Sequence, residues 1–474
     1  MISVLSSSPA SQNFVLVYKD QPLLVSTIAL GAAALGIFAL CKRRKRVSFT
    51  DLESLLLTED TSLTSSCIYL DYNGTTPINP LVLAAMLPFL TVHFGNPSSS
   101  HFYGQQPKVA MTQARQHLLQ LIGRPKELPS SIWFTGCGTE SDNLAIQLAL
   151  QSNTNKNIKH IVTTNVEHPA IAECLRSLES SNQDNVEVTY VPVEKNGCVL
   201  AENIISAIRK NTVLVTVMLA NNESGALQPV ADIAAACRER GILMHTDAAQ
   251  ACGKVNVAEL VGEADMITIV GHKLGAPKGV AALYVRDGCC TSGDRELPSG
   301  GIILMGGGQE GGRRGGTENV PYCVGLGKAA QLAAQNLEKN MKKMEALRMR
   351  LCQGLREQLP NANIRVNGPI ESDLRLPNTL SIGIAGIQSG NLLREIGDKV
   401  AASAGAACHS GGGGVSSILK AMQVPDEFAQ GTLRLSIGPS TSAADIDQAV
   451  ILISKQVRIE LESSPEENNL KVPP

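Results

Sequence analysis

Two apolar runs in the middle of the chain end on residues that could do chemistry together. The first is Ile242-Leu243-Met244-His245-Thr246-Asp247-Ala248-Ala249-Gln250; the second is Asp265-Met266-Ile267-Thr268-Ile269-Val270-Gly271-His272-Lys273. A lysine amine can join an aldehyde as a Schiff base, and a carboxylate can hold a pyridine nitrogen protonated so that the ring withdraws electrons. Pyridoxal phosphate needs both groups. If the runs are neighbouring strands, their carboxyl ends aim Asp247 and Lys273 into one crevice, where α/β sheets bind ligands. The same residue types also end strands for plain solvation or helix capping, so the pair alone leaves both readings open.

Other candidates lie at similar places. After the apolar run Ile132-Trp133-Phe134-Thr135 comes the turn Gly136-Cys137-Gly138, and Thr139 opens a helical pattern. A helix N-terminus with a glycine turn and a hydroxyl suits a phosphate, although Thr139 could equally be an ordinary cap. Neither this turn nor the glycine-rich Gly300–Gly316 carries the Gly-Lys-Ser/Thr of a nucleotide loop. His168 follows a strand ending near Thr164 and could stack on a ring or move protons, or simply pack. Asn221-Asn222-Glu223 has the same standing. Cys408 and His409 precede Ser410 and the run Gly411–Gly414. A nucleophilic thiol that must travel to a substrate would use such a backbone, and a linker beside a buried cysteine would look alike.

The elements that must position these residues alternate between strands and helices from Cys67 onward, which predicts an α/β fold with a mostly parallel sheet. Seven strands are expected near 132–135, 160–164, 186–191, 213–219, 242–246, 266–270 and 281–285. A long helix from about Pro321 to Gln358 opens a smaller α+β domain, with strands near Thr379–Ile384 and Thr432–Ser436 and a C-terminal helix from Ala443. The expected organisation is a large domain over 67–320, whose first residues could join the small one, a small domain over 321–463 and a disordered tail over 464–474. With 474 residues, 43% hydrophobic, the chain can bury two cores. A net charge of −2 gives no sign of a nucleic-acid surface. The twelve cysteines are scattered without metal-ligand spacing, so reduced thiols and no metal site are expected.

The N-terminus reads separately. After a short segment, 1–21, the uncharged run from Pro22 to Cys41 has the roughly 20 residues that one membrane-spanning helix needs. Lys42-Arg43-Arg44-Lys45-Arg46 follows and should stay cytoplasmic, which predicts a membrane anchor with the catalytic bulk in the cytosol. The alternative is an N-terminal targeting peptide, leaving a cytosolic or organellar enzyme after processing. Residues 42–66 comprise the basic cluster and a polar linker.

Taken in order, the motifs resemble those of one family. They are Asp71-Tyr72-Asn73-Gly74-Thr75-Thr76-Pro77, Gly95-Asn96-Pro97-Ser98-Ser99, Gly138-Thr139-Glu140-Ser141, Glu167-His168, Asn221-Asn222-Glu223, Asp247-Ala248-Ala249-Gln250, Gly271-His272-Lys273, Gly306-Gly307-Gly308-Gln309-Glu310, Gly316-Thr317-Glu318-Asn319 and Cys408. Residues 67–455 are similar to the cysteine desulfurases and selenocysteine lyases, class V members of the fold-type I pyridoxal-phosphate enzymes. The resemblance implies Lys273 as the Schiff-base lysine, Asp247 on the pyridine nitrogen, His168 stacked on the ring, Gln250 on the phenolic oxygen and Asn222 beside the cofactor. Gly138, Thr139 and His272 would hold its phosphate, with Thr317 reaching across a homodimer interface. Arg434, assisted by Asn378, would bind the substrate carboxylate, and the Cys408 thiol would act on the substrate's sulfur or selenium to leave alanine.

Residues after Cys408, before Gly271 and before Asn221 look most like selenocysteine lyase, so L-selenocysteine with release of selenide is the first expectation. The second is L-cysteine, with a Cys408 persulfide passed to a sulfur acceptor protein. A third is a membrane-tethered scaffold with weak activity. Leu274-Gly275-Ala276, Gly311 and Pro439 depart from the family pattern, and the first three are expected to change the wall of the site.

Overall fold

The computed structural model describes residues 67–152, 158–181, 185–289, 303–407 and 414–463, together with three short N-terminal strands as backbone only. Those strands, β1 (Ile2–Ser6), β2 (Asn13–Tyr18) and β3 (Gln21–Ser26), pair antiparallel in sequence order, with Asn13 opposite Ser26 and Tyr18 opposite Gln21. This overturns the membrane-spanning helix expected over 22–41. Phe14, Val15, Val17, Tyr18 and Val25 are aromatic or β-branched and favour extended pairing, so the apolar run begins in a strand. What is left of it, 27–41, is shorter than the roughly 20 residues a helical span needs. Among the described residues no helix is long and apolar enough to cross a membrane.

After β4 (Ile68–Tyr69), the central layer is a seven-stranded sheet. Its strands are β5 (Ile132–Thr135), β6 (Lys159–Thr164), β7 (Val186–Val191), β8 (Thr212–Thr216), β9 (Leu243–Asp247), β10 (Met266–Val270) and β11 (Ala281–Val285), in the spatial order β5-β11-β10-β9-β8-β6-β7. Every neighbouring pair is parallel except those made by β11, which runs against both β5 and β10. Strands β8 to β11 are buried along their whole length because helices cover both faces, which is why they read as unbroken apolar runs and not as alternation. The carboxyl ends of β5, β6, β8, β9 and β10 therefore point to one side.

The 39-residue helix Val320–Gln358 begins in the core of this layer, through Val320, Cys323 and Leu326, and ends in a second core through Met344, Leu351 and Leu355. At about 1.5 Å per residue it is long enough to join the two. The second core sits on an antiparallel sheet. Here β12 (Ile364–Asn367), β13 (Thr379–Ile384) and later β18 (Thr432–Ser436) pair in turn, and the short β15 (Ser403–Ala404) adds to β18. Just before it, β14 (Val400–Ala401) pairs with β4, which ties residues 68–69 to this half. A two-stranded hairpin, β16 (Ala406–Ala407) with β17 (Gly414–Val415), flanks residues 408–413. Cys408 and His409 lie outside the described residues.

Candidate active site

The carboxyl ends of the large sheet and the edge of the small one enclose a cavity of about 1100 Å³. Gly138, Thr139, His168, Asn222, Asp247, Gln250, His272, Lys273 and Arg434 all line it. Asp247 is the last residue of β9, and Lys273 follows β10 after a single tight turn of 3-10 helix, Gly271–Lys273. The parallel register that pairs Thr268 with Asp247 sets the two side chains on adjacent strand ends, as the sequence reading required.

The floor is built from the segment Asp71-Tyr72-Asn73-Gly74, which threads between the two sheets. The Asn73 carbonyl accepts from Lys273 Nζ at 2.5 Å and from Gln250 Nε2 at 3.0 Å, and the Gly74 carbonyl accepts from Lys273 Nζ at 2.8 Å. Burial, with Arg434 adding repulsion, lowers the Lys273 ammonium to about 8 against the pull of Asp247 and Asp71. An amine near neutrality is suited to moving protons. Asp247 is buried, and its Oδ1 accepts from the Ala249 N–H at 2.9 Å. Burial raises its carboxyl above the usual range, an effect offset in part by that N–H, His168 and Lys273.

His168 stands at the mouth of the cavity. Its Nδ1 accepts from the Ala170 N–H at 3.1 Å, which leaves the proton of the neutral ring on Nε2. Desolvation by the cleft walls, and Lys273, lower its affinity for a second proton against the attraction of Asp247. His272 is held by Thr75 Oγ1 at 3.1 Å from Nδ1, and burial and two lysines push it down to about 4.

At the other end, Arg434 on β18 donates from Nη2 to Asp71 Oδ1 at 2.7 Å and to Ser403 Oγ at 2.8 Å. Its Nη1 reaches the Asn222 carbonyl at 3.4 Å, and its buried Nε has no partner. The guanidinium is thus anchored on one side and keeps donor capacity on another.

Two expected site residues fall elsewhere, and so do the departures from the family pattern. Asn378 is fully buried behind the floor, where its Nδ2 donates to Asn73 Oδ1 and the Ile437 carbonyl, so it touches the site through Asn73. Thr317 is exposed and lines a separate hollow of about 180 Å³ with Gly136 and Arg314. Leu274 and Ala276 pack into the large core, and Gly275 adopts φ +84°, a left-handed conformation that suits glycine. None of these last three lines the cavity, so the expected change of wall becomes a change of packing behind Lys273. Gly311 lies on a different hollow, and Pro439 is exposed, its carbonyl accepting from Lys343.

A model of the aminotransferase class-V family matches residues 68–449. The chain belongs to the class-V aminotransferase family. Among its relatives, a cysteine desulfurase of Nostoc sp. is 42% identical over 85% of this chain and 96% of its own length. A solved structure titled as a NifS-like protein superimposes with a TM-score of 0.73 at 31% identity, over 83% of this chain and 100% of that one. A second, titled SspA in complex with cysteine, gives 0.64 at 31% identity over 79% and 99%. These names favour the sulfur expectation over the selenium one. Of the described residues that suggested selenium, Thr268, Ile269 and Leu219 are fully buried away from the cavity, whereas Met218, Ala220 and Val270 line it.

Class-V aminotransferases are pyridoxal-phosphate enzymes, and the cavity fits that cofactor. The helix Gly138–Gln151 begins without a side-chain cap at Cys137, so its first N–H groups are available to a phosphate at the cavity wall. Gly138 is needed there, since a Cβ would stand 2.6 Å from Val270 Cγ2. Asp247 forms no ion pair among the described residues, the condition a protonated pyridine nitrogen would relieve. Sequence reasoning assigned no role to Asp71, Asn73 or Ser403. The first two sit inside a quoted motif, yet their function depends on a contact between two sheets distant in sequence.

Proposed function

We propose that this chain is a cysteine desulfurase, taking L-cysteine to L-alanine and passing the sulfur through Cys408 to an acceptor protein. The single observation that carries the reading is the cavity that joins Lys273, Asp247 and His168 of the large layer to Arg434 of the small one. Further support comes from the names of the relatives and from the complex of one solved relative with cysteine. Gly405 and Ser416, which flank the hairpin around residues 408–413, line the same cavity.

Bound pyridoxal phosphate supplies an aldehyde for the substrate amine and a ring that accepts electron density from the substrate Cα. Asp247 would hold the pyridine nitrogen protonated, and His168 would stand over the ring. Arg434 binds the substrate carboxylate with the donors that Asp71 and Ser403 leave free, which fixes the Cα–H toward Lys273. The Lys273 amine takes the Cα proton. The Cys408 thiolate then attacks the substrate sulfur: an S–S bond forms, the Cβ–S bond breaks, and its electron pair stays with the carbon skeleton. Protonation of that carbon gives the alanine methyl group, and Cys408 is left as a persulfide.

Purified protein given L-cysteine and L-selenocysteine in parallel tests this. Alanine should form from cysteine, with labelled sulfur carried on Cys408 and absent from Cys408→Ala. Alanine from selenocysteine alone would reverse the assignment, and alanine from neither would remove it. Arg434→Lys gives an independent check, because an ammonium cannot meet Asp71, Ser403 and a carboxylate from one fixed plane. Loss of a buried charge-assisted contact costs about 2–4 kcal/mol, so kcat/KM should fall about 30- to 1000-fold at roughly 1.4 kcal/mol per tenfold, mostly through KM.

A further inference from the structure

Lys254 is a buried lysine behind the floor of the cavity, and the proposed mechanism does not use it. Its Nζ donates to Gln250 Oε1 at 2.7 Å and to Asn73 Oδ1 at 3.0 Å. A lysine nitrogen has at least two N–H bonds in either protonation state, and both oxygen neighbours here need a donor. The contact therefore sets the oxygen side of two carboxamides, whose NH2 sides meet the Asn73 and Asn222 carbonyls. With Oε1 turned to Lys254, the Gln250 NH2 group must face the other way. One of its hydrogens goes to the Asn73 carbonyl at 3.0 Å, and the other is left for the cavity that Gln250 lines. With Oδ1 turned to Lys254 and Asn378, the Asn73 NH2 group points to the Asn222 carbonyl at 3.1 Å and to Thr379 Oγ1 at 2.8 Å.

A primary carboxamide without such a neighbour can rotate by half a turn and present its oxygen instead. An oxygen facing the cavity would repel the phenolate oxygen of a bound pyridoxal ring; an N–H would stabilise it. We propose that Lys254 is a positioning residue, which locks the Gln250 amide with its N–H toward the phenolic oxygen of the cofactor and acts on the site through that amide. The inference rests on the class-V cofactor and on Gln250 facing it. It requires nothing of the choice between sulfur and selenium.

A lysine in this place also carries charge. Burial, Lys273 and Arg434 lower it to about 7, and Cys252 is the thiol beside it. Positioning and charge separate in a double-variant cycle. The readout is the pH midpoint of the visible absorption change of the holoenzyme, which reports the proton shared between the phenolic oxygen and the lysine linkage. Gln250→Leu removes the donor and should raise the midpoint. Lys254→Met should raise it in the same direction, while Lys254→Gln, which keeps an N–H near Gln250 Oε1, should restore part of the shift. In the Gln250→Leu background a further change at Lys254 should add nothing. Additive shifts would mean that Lys254 acts as a charge through space, and an unmoved midpoint would mean that it only fills the core; either result overturns the proposal. Where Lys254→Met does not fold, Lys254→Leu, which also removes the donor, is compared in the two backgrounds by the same rule. The wild-type absorption band and its alanine production from cysteine, taken in the same buffers, report on the cofactor and on the proposed function separately.

Discussion

Lys273→Ala should abolish alanine formation to within about 10³- to 10⁴-fold below the wild type, a loss in the range of a positioned general base. Three features argue for so large an effect. The Nζ is held by two carbonyls, those of Asn73 and Gly74, so its position is fixed before any substrate arrives. Burial and Arg434 have lowered it to about 8, so a substantial neutral fraction exists at the pH where the enzyme would work. Among the described residues lining the cavity it is also the one primary amine. Lys273→Arg should be nearly as inactive, because a guanidinium stays protonated and cannot accept the Cα proton. The fold should survive both changes, since the side chain is only partly buried. Single-turnover alanine release, with circular dichroism and cofactor content as controls, measures the effect. Activity of Lys273→Ala within tenfold of wild type would remove the lysine from the mechanism.

The sequence made some of this arrangement visible and hid the rest for physical reasons. The buried strands β8 to β11 were legible because a sheet covered on both faces is apolar without interruption, and their bounds fix where Asp247 and Lys273 emerge. The N-terminal run 22–41 misled because length and lack of charge do not distinguish a helix from a strand, and the β-branched residues around it decide for pairing. Asn73 could not be read as the centre of the floor, since its partners Gln250, Lys254, Lys273, Asn378 and Thr379 come from three distant stretches of the chain. Lys254 was hidden for another reason. A lysine near a turn ordinarily reads as a solvated charge, and only the closing of the two sheets buries this one. The departures at Leu274 and Ala276 were visible in the sequence, but the direction of their side chains, away from the cavity, was not.

The same burial that equips the cavity strains the protein, and Asp247→Asn should expose the conflict. Asp247 lies beside two other buried acids, Asp142 and Glu167. Burial raises all three, Glu167 to about 8, and Asp247 itself adds to the repulsion at Asp142 and Glu167. The Ala249 N–H, His168 and Lys273 are the groups that favour its charge. Because its folded pKa lies above the unfolded 3.8, the native state binds more protons than the unfolded one between those two values. Stability must then fall as pH rises through that window. An asparagine keeps the oxygen that accepts from the Ala249 N–H and carries no charge. The cofactor-free variant should therefore be more stable than cofactor-free wild type at pH 8, on the order of 1 to 3 kcal/mol, with the difference shrinking as pH falls toward 4. Activity should move the other way. A neutral amide cannot hold a pyridine nitrogen protonated, and loss of one such preorganised electrostatic partner costs about 10² to 10³ in kcat. Melting curves of the cofactor-free proteins at several pH values, set beside kcat for the loaded ones, test both halves at once. A variant that lost activity without gaining stability at pH 8 would show that the charge of Asp247 is already compensated in the empty fold, whereas the geometry here leaves that compensation to the cofactor.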